Sequence, residues 1–171
     1  RETEPLIRQC FIGRGSTTPS ESFERKLYVI RKQVESLIAG ACGIPNPGEF
    51  YLASLSSQTI VYKGLLLPHQ MRAYFSDLAD ERMETAIALV HQRFSTNTFP
   101  SWPLAHPFRY VAHNGEINTI NGNRNWMRAR EAGMVSSMFG DDMRKISPLV
   151  SREGSDSATL DQAVELLVQG G

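Results

Sequence analysis

Apolar side chains recur every three or four positions at Phe23, Leu27, Ile30, Val34, Leu37 and Ile38, a spacing that predicts a helix with one buried face. Its start is legible, because Thr18 can cap, Pro19 suits the first helical position and Glu21 completes a capping box; Gly40 ends it. Ahead of it, an apolar patch from Ile7 to Ile12 reads as strand-like. After the turn Pro45-Asn46-Pro47-Gly48, residues 50–55 and 59–65 are β-rich runs joined by Ser56-Ser57-Gln58, which predicts a hairpin. Pro68 can open a short helix carrying Met71, Tyr74, Phe75 and Leu78. From Thr85 the run TAIALVHQRF reads as a buried strand delivering His91, Gln92 and Arg93 at its C-terminal end.

The segment STNTFPSWPLAHP, residues 95–107, combines three prolines with Phe99 and Trp102, so it is expected to be an ordered loop of the lid type. Residues 108–113 read as a returning strand that meets Asn114-Gly115, a turn dipeptide able to take positive φ. Residues 125–132 look helical, and Pro148 breaks the chain. Gly154-Ser155-Asp156-Ser157 opens a last helix, expected to turn Leu160, Val164 and Leu167 or Val168 inward.

Composition narrows the classes. The 171 residues are 41% hydrophobic and 21% charged, with eighteen Lys and Arg against eighteen Asp and Glu, which is one ordinary globular domain over residues 1–171 with no net charge. That balance argues against a general nucleic-acid partner, which would need an excess of cations against phosphate. No apolar run reaches the roughly 18–20 residues of a membrane-spanning helix, and there is no charged-then-apolar export signal, so neither a membrane partner nor export is expected. Two cysteines, Cys10 and Cys42, cannot form a disulfide framework, and a reducing compartment fits best. A first residue other than Met and an amphipathic run ending at Gly171 read as a piece of a longer polypeptide.

Candidate chemistry sits at the ends of elements. Arg93 could grip a carboxylate through two charge-assisted bonds, or sit in an internal ion pair. Asn114-Gly115 could aim a side-chain amide and a backbone N–H at one developing oxyanion, or simply turn the chain. Asp156 could cap a helix or pair with a ligand ammonium. His91, His106 and His113 fit no familiar metal-ligand spacing; metal-dependent hydrolysis through them ranks below structural roles. The Gly- and Asn-rich stretch from Gly122 to Asn125 lacks both phosphate-loop and dinucleotide signatures.

Taken together, HQRFSTNTFPSWPLAHPFRYVAHNGEINTINGNRNWMRARE, from His91 to Glu131, resembles the glutamine amidotransferase domain of the glutamate synthase family. Residues 50–78 and SREGSDSATLDQAVELL, residues 151–167, extend the resemblance through nearly the whole chain. It implies that Arg93 holds the α-carboxylate of L-glutamine, that Asp156 holds its α-ammonium, and that Asn114 and Gly115 form the oxyanion hole. It also places Thr96 in a loop closing over substrate, with Phe94 and Trp102 excluding water, and gives His106 a supporting role.

In that family a cysteine at the mature N-terminus attacks the glutamine amide and ammonia passes to a second site, where 2-oxoglutarate becomes glutamate. The resemblance puts that cysteine upstream of Arg1, leaves Cys42 and Cys10 without a catalytic role, and implies that residues 1–171 alone are inactive and poorly stable. It implies an α+β fold, a partial four-layer αββα sandwich of the N-terminal nucleophile hydrolase type with antiparallel sheets. No cofactor is expected within this segment; FMN and an iron-sulfur cluster are expected in the complete enzyme. Implied partners are the remaining domains of glutamate synthase and an electron-donor subunit or ferredoxin. The donor, whether NADPH, NADH or ferredoxin, stays open, as does cytoplasm versus plastid. A noncatalytic glutamine-sensing or partner-binding module is the rival reading.

Overall fold

Helix α1, Ser20–Gly40, forms where the three-and-four spacing places it, and the Phe23 N–H closes its first turn on the Pro19 carbonyl at 2.9 Å. The computed structural model that shows this describes residues 4–16, 18–40, 43–93, 99–152 and 154–171. The buried side of α1 is turned from the expected one. Leu27 is buried, but Leu37 is exposed, and Glu24, Tyr28, Arg31 and Lys32 are buried.

Polar burial on α1 is matched on the last helix. Helix α2 is the short Met71–Tyr74, α3 is Ile120–Glu131, and α4 is Asp156–Gly170. Helix α4 contacts α1 and buries Ser157, Thr159, Asp161, Glu165, Leu166 and Gln169. Leu160, Leu167 and Val168, expected to face inward, are exposed. The reason is electrostatic. Arg31, 1% exposed, pairs with Glu35 at 2.8 Å and with Glu165, so a helix face bearing carboxylates is drawn inward to meet it. Arg109 joins the same group, 3.4 Å from Glu35 and 3.6 Å from Asp161, and donates to the Leu52 carbonyl at 2.6 Å.

Beside this charged seam lies the apolar core. Tyr28 and Val29 of α1 meet Phe139, Ile146, Leu149 and Leu166, with Met127, Met134 and Met143 packed around them. A second aromatic group joins Tyr62, Phe75, Tyr74 and Trp102, with ring centroids 4.9–5.9 Å apart. The expected short helix near Pro68 is present as a 3₁₀ turn, Pro68–Gln70, running into α2.

The α+β sandwich is not formed. Among the described residues there is no strand and no sheet, only helices and irregular segments. A strand must exchange its N–H and C=O groups with a neighbouring strand, and here the donors go elsewhere. In the expected hairpin, Val61 N–H donates to Ser54 Oγ at 3.1 Å, Gln58 and Thr59 donate to Ser56 Oγ, and Ser57 donates to Glu24 at 2.8 Å. In residues 108–113, Phe108 N–H bonds the Val111 carbonyl, while Tyr110 and Val111 donate to Asp161 Oδ1 at 2.7 and 3.1 Å. The run from Thr85 lacks cover as well as ladder partners, for Ile87 is 84% and Val90 82% exposed.

Candidate functional site

Three stretches bring the candidate groups together: the end of the irregular segment at His91 to Arg93, the turn after residue 113, and the start of α4. Ser155 is the N-cap of α4, its hydroxyl accepting from Ala158 N–H at 3.1 Å. That capping leaves the Asp156 carboxylate to reach sideways. Its Oδ2 accepts from Ile117 N–H at 2.7 Å, and its Oδ1 accepts from Ser157 N–H at 2.7 Å. Burial pushes this carboxyl upward, but the two backbone donors and the Ser157 hydroxyl outweigh it and hold the group below the usual carboxylate range. Asp156 is thus a stable anion at neutral pH.

Asn114 is fixed from its oxygen side. Its Oδ1 lies 2.8 Å from His91 Nε2, so the imidazole donates there and the Asn114 NH₂ remains a donor. Arg93 donates to the Asn114 carbonyl at 3.5 Å. Gly115 N–H donates to His113 Nδ1 at 3.0 Å, which places the His113 proton on Nε2, facing Ser157 Oγ at 2.9 Å. The Ser157 hydroxyl reaches Asp156 Oδ1 at 3.2 Å. One chain of hydrogen bonds and covalent neighbours therefore runs from Arg93 through Asn114, Gly115, His113 and Ser157 to Asp156.

Neither Asn114 nor Gly115 takes the positive φ open to such a dipeptide. Positive φ falls instead at Thr119, immediately before α3.

His106 stands at the centre of the histidines. Its ring stacks on His91 at 4.5 Å between centroids and meets Phe108 and His113 edge-on at 4.7 and 5.6 Å. Burial first, then the neighbouring His91, His113 and Lys63 charges, lower its pKa to about 4, so it stays neutral. Its Nδ1 is buried and has no hydrogen-bond partner among the described residues. The three rings meet face and edge, and among the described residues no group of three or more His, Cys, Asp or Glu is placed to hold a metal ion.

Trp102 packs on Tyr74 and over Gly64, where an added side-chain carbon would overlap the indole. Thr96, Phe94 and Cys42 lie outside the described residues. Cys10 is exposed and, among the described residues, free of a disulfide. An iron-sulfur cluster takes about four thiolates, and the two cysteines of this chain do not build one.

A model of the class-II glutamine amidotransferases matches residues 1–171. The chain belongs to that family. Among its relatives, the glutamate synthase [NADPH] large chain of Bacillus subtilis is 58% identical over 98% of this chain and 11% of that protein. The corresponding large chain of Azospirillum brasilense is 45% identical over 99% of this chain and 11% of its own length. The ferredoxin-dependent glutamate synthase 1, chloroplastic/mitochondrial, of Arabidopsis thaliana is 43% identical over 100% of this chain and 10% of that protein. This amidotransferase chain thus spans about a tenth of the length of the relatives it matches. No helix among its described residues is long and apolar enough to cross a membrane.

The residues missed by sequence reasoning are Ser157, which ties His113 to Asp156, and Lys63, which is buried beside the loop after Trp102. Ser157 follows directly on Asp156 in GSDS and could have been found as a second hydroxyl at a helix start. A single lysine in a β-rich run carries no such signal.

Proposed function

We propose that this chain is the glutamine-binding part of the glutaminase region of a glutamate synthase. In this reading Arg93 takes the α-carboxylate of L-glutamine, Asp156 takes its α-ammonium, and the Asn114 amide with the Gly115 N–H stabilises the oxyanion of the tetrahedral intermediate. Gly115 N–H is engaged by His113, so this role requires the Gly115 donor to exchange that acceptor for substrate oxygen. Thr96, Phe94 and Trp102 would close over the substrate and His106 would support the site. The attacking thiolate would come from a cysteine outside residues 1–171: it forms a bond to the side-chain carbonyl carbon, the carbon-nitrogen bond breaks, and ammonia leaves with a proton returned by the base. Water then hydrolyses the thioester.

The single observation that supports this reading is the hydrogen-bond chain joining a cation, an amide pair and an anion in a member of the amidotransferase family. Transfer of the ammonia to 2-oxoglutarate, FMN, the iron-sulfur cluster and the electron donor would belong to other parts of the complete enzyme. The test is steady-state glutaminase kinetics of the full-length polypeptide with Arg93, Asn114 and Asp156 changed singly. Asn114→Ala should chiefly lower kcat, and Arg93→Met and Asp156→Asn should chiefly raise KM. Unchanged kinetics in all three would remove the site, and glutamine binding without hydrolysis would favour the sensing module.

A further inference from the structure

Lys63 is 7% exposed, yet no carboxylate lies in hydrogen-bond contact with it among the described residues. Its Nζ instead donates to the Pro103 carbonyl at 2.6 Å and sits 4.7 Å above the Phe108 ring and 5.5 Å above Tyr51. A buried ammonium is costly to maintain, so a group held this way stabilises something specific. What it touches is the support of the candidate site. Pro103 lies in the 3₁₀ turn Trp102–Leu104, three residues ahead of His106. Phe108 carries the edge contact to His106, His106 stacks on His91, and His91 fixes Asn114.

We propose that Lys63 is a positioning residue of this site: its ammonium, bonded to the Pro103 carbonyl and seated on Phe108, fixes the turn that carries His106 and, through His91, the Asn114 amide. The role rests on the glutaminase reading above. Gly64 supports the same turn from the next position, because only a residue without a side chain lets the Trp102 ring lie against the backbone there.

The charged groups around Lys63 decide how the clamp responds to pH. Burial and the Arg109 guanidinium lower its pKa and Asp161 raises it, with the net result of about 7, while neutral His106 faces it across Phe108. Loss of the proton leaves an amine that still donates to Pro103, but the bond is no longer charge-assisted and the attraction to the Phe108 face is gone. The clamp therefore weakens as pH rises through neutrality.

The experiment is glutaminase kinetics of the full-length polypeptide, native and carrying Lys63→Met, across a pH series from about 6 to about 8. At about pH 6, Lys63→Met should lower kcat/KM for L-glutamine roughly tenfold, the scale of a lost charged hydrogen bond. The ratio of native to variant should shrink toward one by about pH 8 as native Lys63 becomes neutral. Lys63→Met removes a buried charge, so its thermal midpoint should equal or exceed the native one. A ratio constant across that pH range, or native activity in Lys63→Met, overturns the role. Absence of glutaminase activity in the native polypeptide removes the underlying reading and the role with it, whereas native activity carried unchanged by Lys63→Met removes the role alone.

Discussion

Two charged regions lie along α4, one at its first residue and one from Asp161 to Glu165, and are built on different rules. In the seam between α1 and α4, the buried guanidinium groups face carboxylates: Arg31 meets Glu35 and Glu165, and Arg109 lies within 4 Å of Glu35, Asp161 and Glu165. At the start of α4, among the described residues, Asp156 is met by N–H and O–H donors, Arg93 donates to a carbonyl at 3.5 Å, and the Asn114 side-chain oxygen is held by His91. The first region is closed on itself. The second holds one anion and one cation with no ion pair between them among the described residues, which is the state expected of groups kept for a zwitterionic ligand.

The sharpest way to break that contrast is to unbalance the seam. Arg31→Met leaves Glu165 buried against Asp161 without its main cation, and should destabilise the fold by about 3–5 kcal/mol, read as a lowered denaturation midpoint of the full-length polypeptide. An unchanged midpoint would make the seam as dispensable as a surface pair. Next in size, Asn114→Ala in the open region should cost ~2.7 to 4 kcal/mol of catalytic barrier while leaving the denaturation midpoint close to native. Activity loss accompanied by an equal stability loss would put Asn114 with the structural charges.

Smaller effects sharpen the boundary. Gly64→Ala forces a carbon into the Trp102 indole and should cost about 1–3 kcal/mol, with a shift in Trp102 fluorescence as the independent readout. Last comes pH. The native fold prefers neutral His106, with a pKa of about 4 against the ordinary 6.5. Between those values the unfolded chain binds the extra proton, so stability is full above about 6.5 and falls as pH is lowered toward about 4. Thermal midpoints of native and His106→Phe polypeptides should converge at neutral pH and separate in acid, the variant losing less.

Helices were the legible part of the fold because their signal is local. The spacing in α1 and the opening of α4 at GSDS lie in a few neighbouring residues. Which way each helix faced was not legible, since the decisive partners, Arg31 with Glu165, are 134 positions apart, and apolar periodicity ranks a carboxylate as solvent-facing. The sandwich failed for a related reason. Alternation reports that a segment suits a pleated surface, but pairing needs a second segment, and residues such as Ser54, Ser56 and Asp161 take the N–H groups that a ladder would use. Of the candidate site, Arg93, Asn114, Gly115 and Asp156 were legible as polar residues at the ends of elements, with alternatives open, and the roles assigned to them came from resemblance to a family. The imidazole ties between them arise from stretches separated by 23 and 44 positions and left no trace in the sequence.

Asp156 begins the same rigid rod that carries Asp161 little more than a turn later, where one carboxylate oxygen holds the amides of Tyr110 and Val111. Any molecule that grips the first carboxylate restrains the second mechanically. Slowed deuterium uptake at Tyr110 and Val111 would then report occupancy remotely, like a gauge fitted to the far end of a lever.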